Sequence, residues 1–334
     1  LDLAADKSDT VIARDISENV KGGLGSDTLF GRGGADTYQI ASGEAGGAAN
    51  VFKNKDGSDI IGDIINEIGG KVSDDGDSVQ FIGNTSYSTN ISQFKFERTE
   101  LRNEDEGNTL KITADYDGNG SVDDTVFLFD QYNEEQSFRQ VEQLLLDDGW
   151  DPDEAWNLIV SEKDYYDGQD YLNWHLGTAG HDVMVAKNGI GEENWFDLNG
   201  EADLVQLGTG NDTISLVTDN YDYYTRENPF EADTTILGDV DWSAASDSGQ
   251  LHQILDYVAE DDSIDFRFIG ITEPDEEGFD VGIEQSGGNS YLYREDNAGT
   301  NNVEVLAEFV GVLIDNTEIM YDDDSLGSPP DTIL

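Results

Sequence analysis

Residues 21–39 read KGGLGSDTLFGRGGADTYQ and hold two consecutive nine-residue units, GGLGSDTLF at 22–30 and GRGGADTYQ at 31–39. Both fit G-G-x-G-x-D-x-U-x, except that Arg32 stands where the first unit has its second glycine. Glycine reaches positive φ without strain, so a chain that must turn every few residues puts glycine at the turns. The sixth position, Asp27 and Asp36, ends each turn with a carboxylate. The eighth, Leu29 and Tyr38, offers an apolar side chain to a narrow core.

The period extends beyond this stretch. Counting back in nines from Asp27 reaches Glu18 and Asp9, with Val20 and Val11 at the eighth positions. In the second half Asn194, Asp203 and Asp212 are nine apart, with Phe196, Val205 and Ile214 at the eighth positions. GTAGHDVMV at 177–185 is a looser unit carrying Asp182. This is the period of a parallel β-roll, whose stacked turns bring carboxylates and backbone carbonyls together around calcium. The expected fold is mainly β: two tandem calcium-binding parallel β-rolls, each followed by an antiparallel β-rich cap with a few short helices. The expected modules are 1–163 and 164–328, with 329–334 opening a following segment, and the whole reads as part of a longer chain flanked by other domains.

The 334 residues include 17 Lys plus Arg against 73 Asp plus Glu, a formal net charge of −56. Such a chain repels nucleic acid and anionic membrane surfaces. With no cysteine, disulfides cannot staple it, and metal can replace such staples. No stretch approaches the 18 or so apolar residues of a membrane span.

Between the repeats, alternation of apolar and polar residues predicts strands at 77–83, 91–98, 108–114 and 125–129. The roll is expected to end after Ile40. The spacing of Phe138, Val141, Leu144 and Leu145 predicts a helix over 134–146. Asp151 as N-cap before Pro152 predicts another over 152–162. A third is a candidate over 249–258.

Residues 115–123 read DYDGNGSVD. Asp115, Asp117, Asn119, Ser121 and Asp123 match ligand positions 1, 3, 5, 7 and 9 of a calcium loop, with Gly120 at position 6. Position 12 is Val126 rather than Glu, and the flanks are strands, so this is not an EF-hand. Nonapeptide coils, GADTYQI, alternating strands and a DxDGNG hairpin together resemble the calcium-binding repeats-in-toxin (RTX) family, with caps like the carboxyl regions of serralysin-type proteases. The resemblance covers 21–129 well and 177–309 loosely. It implies calcium at Asp27, Asp36, Asp203 and Asp212, and less directly at Asp9 and Asp182; Glu18 and Asn194 depart from the pattern.

The resemblance also implies export by type I secretion from a Gram-negative bacterium, and so a secreted or cell-surface location. The repeat alone does not select a function. There is no H-E-x-x-H, no G-x-S-x-G and no cysteine nucleophile, so no enzyme activity is expected. Tyr171 and Trp174 crowd the junction between the modules. Tyr221, Tyr223, Tyr224 and Arg226 crowd an insertion at 218–231 that the first half lacks. Aromatic residues in a grafted loop suit binding. The expected function is that of a large RTX adhesin holding cell-surface carbohydrate or peptide in adhesion and biofilm formation. Its alternatives are a structural spacer or folding cap without ligand, and an alginate-binding accessory module of a secreted enzyme.

Overall fold

The computed structural model describes residues 7–46, 50, 52–54, 56–67, 76–83, 91–101, 108–132, 140–146, 155–159, 162–166, 171–186, 194–198, 202–215, 231–232, 251–258, 262–265, 279–296 and 303–314. The chain divides into two units, 1–160 and 161–334.

In the first unit the strands are β1 (Thr10–Ile12), β2 (Asn19–Val20), β3 (Thr28–Gly31), β4 (Thr37–Ala41), β5 (Asp63–Glu67), β6 (Ser78–Ile82), β7 (Phe94–Thr99), β8 (Thr109–Ala114), β9 (Asp124–Leu128), β10 (Gln143–Leu146) and β11 (Trp156–Leu158). Successive strands alternate between two sheets. One runs β1-β3-β5-β9-β8-β7 and the other β2-β4-β6-β10-β11. The coil strands pair in parallel: Leu29 is in register with Val11 and Ile65, and Tyr38 with Val20 and Val79. The nine-residue period follows, since each unit is half a coil and a residue meets its neighbour 18 positions away on the same sheet. Leu29, Ile65, Tyr38, Val79, Phe81 and Leu144 fill the space between the sheets and are fully buried. On the outer face of the first sheet, Ile64 of β5 and Phe127 of β9 join Ile60 and Leu101 in a second apolar cluster, with Phe52 and Phe129 packed against it.

The roll does not end after Ile40. It continues through β5, β6 and β10, with long loops inserted between coils. The strands expected at 77–83, 108–114 and 125–129 are β6, β8 and β9; at 91–98 a 3-10 turn, Ile91–Gln93, leads into β7. Of these, β6 belongs to the roll, while β7, β8 and β9 form an antiparallel meander whose last strand pairs in parallel with β5.

The second unit holds β12 (Glu162–Tyr166), β13 (Tyr171–Leu176), β14 (Asp182–Val185), β15 (Asn194–Asp197), β16 (Leu204–Gln206), β17 (Thr213–Ser215), β18 (Glu231–Ala232), β19 (His252–Leu255), β20 (Ser263–Asp265), β21 (Phe279–Ser286), β22 (Asn289–Asp296) and β23 (Val303–Val310). Alternation recurs: β13, β15, β17 and β20 lie in one sheet, and β14, β16 and β19 in the other. Strand β19 then pairs in parallel with β23, which closes an antiparallel meander with β22 and β21. The β21–β22 turn, Gly287-Gly288, has φ of 64° and 95°, as a two-residue hairpin of this hand requires.

The expected helices are overturned wherever the structure describes them. Residues 143–146, 156–158 and 252–255 are strands, while 134–139, 152–154, 160–161 and 249–250 lie outside the described residues. Leu144 and Leu146 point inward while Leu145 does not, a period of two. Parallel pairing of β10 with β6 places Leu144 beside Val79, so tertiary packing outweighs local helix spacing.

Candidate metal centre

Most coils enter their strands through an acid; in the second unit Asn194 and His252 stand at two of these entries. The first column is Asp9, Asp27 and Asp63: Asp9 N–H donates to Asp27 Oδ1 at 2.7 Å, and Asp27 N–H to Asp63 Oδ1 at 2.7 Å. Across the roll the second column is Glu18, Asp36, Asp77 and Glu142, with Glu18 N–H to Asp36 Oδ1 at 2.8 Å, Asp36 N–H to Asp77 Oδ1 at 2.7 Å and Asp77 N–H to Glu142 Oε2 at 2.7 Å. The second unit repeats the arrangement. Asp182 N–H donates to Asp203 Oδ1 at 3.0 Å, Asn194 N–H to Asp212 Oδ1 at 3.1 Å, and Asp212 N–H to Asp262 Oδ1 at 3.1 Å. One carboxylate oxygen thus has a structural duty. It accepts the backbone N–H that would otherwise be orphaned where the coil enters its strand.

In Asp182 and Asp262 the other oxygen also accepts a backbone N–H, from Thr178 and Val258, but in two of the acids it has no such duty. Oδ2 of Asp27 and Oδ2 of Asp212 are buried without a hydrogen-bond partner. Glycine permits this placement, because a Cβ on Gly22 would overlap the Asp27 carboxylate. At the fourth position, Gly25 and Gly34 have φ of 129° and 106°, and a Cβ there would strike the backbone of Lys7 and of Ile16–Ser17 in the neighbouring coil. A buried ionised oxygen with no partner is costly. Burial accordingly raises the Asp27 carboxyl to about 6 and the Asp212 carboxyl to about 7, and pushes Asp63 well up as well.

A tighter group lies in the second column. Asp36, Glu67 and Asp77 each bring one oxygen within 4.8 Å of the others, all three buried. Glu67 comes from the opposite sheet and accepts the Tyr38 hydroxyl at Oε1. Burial, then the charge of Asp77, raises Glu67 to about 8. The first rungs differ. Glu18 is half-buried and paired to the exposed Arg14, whose hydrogen bonds hold it below the usual carboxylate range. Asp9 is half-buried, at the end of the column.

In the second unit His252 occupies an acid position and accepts Asp203 N–H at Nδ1, 3.1 Å away. Burial holds its imidazole down to about 4, so the ring is neutral and Nδ1 is free of a proton. The 3.3 Å approach of Asp203 Oδ2 to that nitrogen is then a meeting of two acceptors rather than an ion pair. His181 braces its turn through Nδ1 to Ala202 O at 2.7 Å.

The 115–123 loop is the β8–β9 turn and is self-organised. Asn119 N–H donates to Asp115 and Asp117, Gly120 N–H to Asp115 Oδ2 at 2.7 Å, and Ser121 N–H to Asn119 Oδ1 at 2.7 Å. Asp115, Asp117 and Asp123 bring one oxygen each within 4.8 Å of the others at the surface. Val126 is a buried strand residue in register with Asp63.

Of the expected ligand-binding residues, Tyr221, Tyr223, Tyr224 and Arg226 lie outside the described residues. Tyr171 and Trp174 fall on β13, but their side chains also lie outside them. The sequence reading missed Asp63, Asp77, Glu142, His252 and Asp262 in the columns, and Glu67 beside them. It missed Asp124 as well, which clamps a loop by accepting Gly43 N–H and Ala45 N–H at 2.7 Å each.

The donors of the columns are almost all oxygens, carboxylate and carbonyl, which suits a hard cation such as calcium. The Oδ2 atoms of Asp27 and Asp212, buried without a donor, are the atoms such a cation would meet. Scans against protein-family models and curated proteins find no match to the chain.

Proposed function

We propose that this chain is a calcium-dependent β-roll region of a secreted bacterial adhesin of the RTX type, which holds cell-surface carbohydrate or peptide. The observation that carries the reading is the acid column, with one carboxylate oxygen bound to backbone and its partner oxygen buried without a donor in Asp27 and Asp212. Asp27, Asp36, Asp63, Asp77, Asp203, Asp212 and Asp262 would hold the ions, with Asp9 and Asp182 on end rungs and a surface site at Asp115, Asp117, Asn119, Ser121 and Asp123. The ion supplies charge neutralisation, which permits the coils to stack in a chain of net charge −56. Binding only to the folded state, it stabilises that state by mass action, so calcium-rich surroundings order the rolls and calcium-poor ones do not.

Calorimetric titration of the whole chain with calcium tests this. The reading expects heat from several sites, with fewer sites in Asp27→Asn and in Asp212→Asn. Equal stoichiometry in wild type and both variants would remove the columns from the mechanism. For the ligand, Tyr223→Ala with Tyr224→Ala should weaken binding to a retained glycan or peptide while leaving the calcium titration unchanged.

A further inference from the structure

Along its described strands, the outward face of the second sheet of the first unit carries no charge; the nearest is Lys21, which follows β2 at the sheet's edge. Inward alternation of Val20, Tyr38, Ile40, Val79, Phe81, Leu144, Leu146, Trp156 and Leu158 leaves Asn19, Thr37, Gln39, Ala41, Ser78, Gln80, Ile82, Gln143, Leu145 and Asn157 on the other side. Register aligns them in rows across the strands. Asn19, Thr37, Ser78, Gln143 and Asn157 form one row, and Gln39, Gln80 and Leu145 the next. Neighbouring strands are about 4.8 Å apart, so each row repeats an amide or hydroxyl at that interval. The rows are tied internally by Gln39 Nε2–H to Gln80 Oε1 at 2.7 Å and by Ser78 Oγ–H to Thr37 Oγ1 at 3.2 Å. Most of these side chains are half-buried, Asn19 is exposed and Ser78 is buried.

Absence of charge is informative because 27% of the chain is Asp, Glu, Lys or Arg. The β7–β8 ribbon of the same unit follows the ordinary rule for a solvent face: Lys95, Glu97 and Lys111 point outward, and Lys111 pairs with Glu97 at 2.9 Å. A face kept free of charge in such a chain is suited to an uncharged occupant, since a charge buried beneath one would lose its water without compensation. Net charge excludes two other occupants. A second copy, also at −56, would be repelled, and so would a polyanion. A basic partner would be drawn to the acidic turns instead.

We infer that this face, with Gln39, Gln80, Thr37, Gln143 and Asn157 as its hydrogen-bonding groups, is a binding surface for an uncharged polysaccharide. Regular amides and hydroxyls match the repeated hydroxyls of such a chain as both donors and acceptors. The inference rests on the adhesin reading for the presence of a ligand, and it names the ligand class and a surface separate from the acid columns.

The test is affinity electrophoresis of the whole chain in calcium-containing native gels. The gels are cast with hydroxyethyl cellulose, dextran or galactomannan, all neutral, and in parallel with alginate. Retardation is expected in at least one neutral polymer and not in alginate. Gln80→Glu and Gln143→Glu each place a charge on the face without entering the core, and each should weaken retention about tenfold or more. No retardation in any neutral polymer, or retention unchanged in both variants, would overturn the inference. So would sedimentation showing a dimer that Gln80→Glu dissociates, because the face would then join copies. Retention that survives alongside a failed calcium titration would sink the calcium reading and leave the surface standing.

Discussion

At the residue scale the acid at the sixth position divides its labour between two oxygens. Oδ1 of Asp27 accepts Asp9 N–H, and Oδ2 has no donor. Asn at this position keeps one carbonyl oxygen for the backbone and removes the buried charge. Asp27→Asn should therefore be neutral or stabilising in EDTA at pH 7–8, and should lose about 1–3 kcal/mol relative to wild type in calcium. Denaturant midpoints in the two buffers check the change of sign. The same burial predicts the pH profile without metal. The folded carboxyls of Asp27 and Asp212 titrate near 6 and 7, above the ordinary value near 4 of an unfolded Asp. A raised folded value contributes stability that is full below pH ~4 and is lost as pH rises through the folded value. Stability in EDTA should thus fall between about pH 4 and 8, and calcium should abolish the decline; a metal-free profile that rises across this window would contradict the assignment. Sixth-position acids and eighth-position core residues were legible in the sequence because the unbroken repeats at 22–39 display them. Asp63, Asp77, Glu142 and Asp262 were not, because inserted loops stretch their spacing from 18 residues to 36, 41, 65 and 50. What survives is a local triplet of acid, any residue, aliphatic: Asp77-Ser78-Val79, Glu142-Gln143-Leu144 and Asp262-Ser263-Ile264.

At the scale of elements, the turns and strands impose different demands. Gly34 combines φ of 106° with the Ile16–Ser17 backbone where a Cβ would lie, whereas Gly57 has φ of 83° with open space around it. Gly57→Ala should cost about 1 kcal/mol, the penalty of the left-handed conformation alone. Gly34→Ala should cost about 3 kcal/mol or more, because the neighbouring coil must also shift. Thermal melts in calcium separate them. Strand β10 shows why the helix expectation failed there. Leu144 and Leu145 are adjacent on the apolar face of a helix drawn through 134–146, but in the strand only Leu144 is fully buried, against Val79. Leu144→Ala is expected to destabilise by about 2–4 kcal/mol and Leu145→Ala by under about 1 kcal/mol. Equal losses would favour a helix. The only local mark of a strand there is the triplet Glu142-Gln143-Leu144; the acid Glu142, accepting Asp77 N–H from 65 residues away, holds the segment in the roll.

At the scale of the molecule, electrostatics sets the terms. A net charge of −56 opposes compaction, and the acid columns concentrate part of it inside the coils, where water cannot screen it. Protons or metal ions can relieve that repulsion, and near neutral pH metal is the more effective because it leaves the carboxylates ionised and bound. The alternating sheets, parallel register and interior columns therefore make a fold whose stability is tied to its ionic surroundings. The central claim is that calcium, filling the second carboxylate oxygens, orders the rolls. The most direct test is the thermal unfolding midpoint of the whole chain at pH 7.5 in EDTA, in a few millimolar calcium, and in the same concentration of magnesium. The account predicts a rise of about 10 °C or more in calcium and a far smaller one in magnesium, which binds poorly where rigid octahedral geometry is not met. Midpoints that coincide in EDTA and calcium would contradict it.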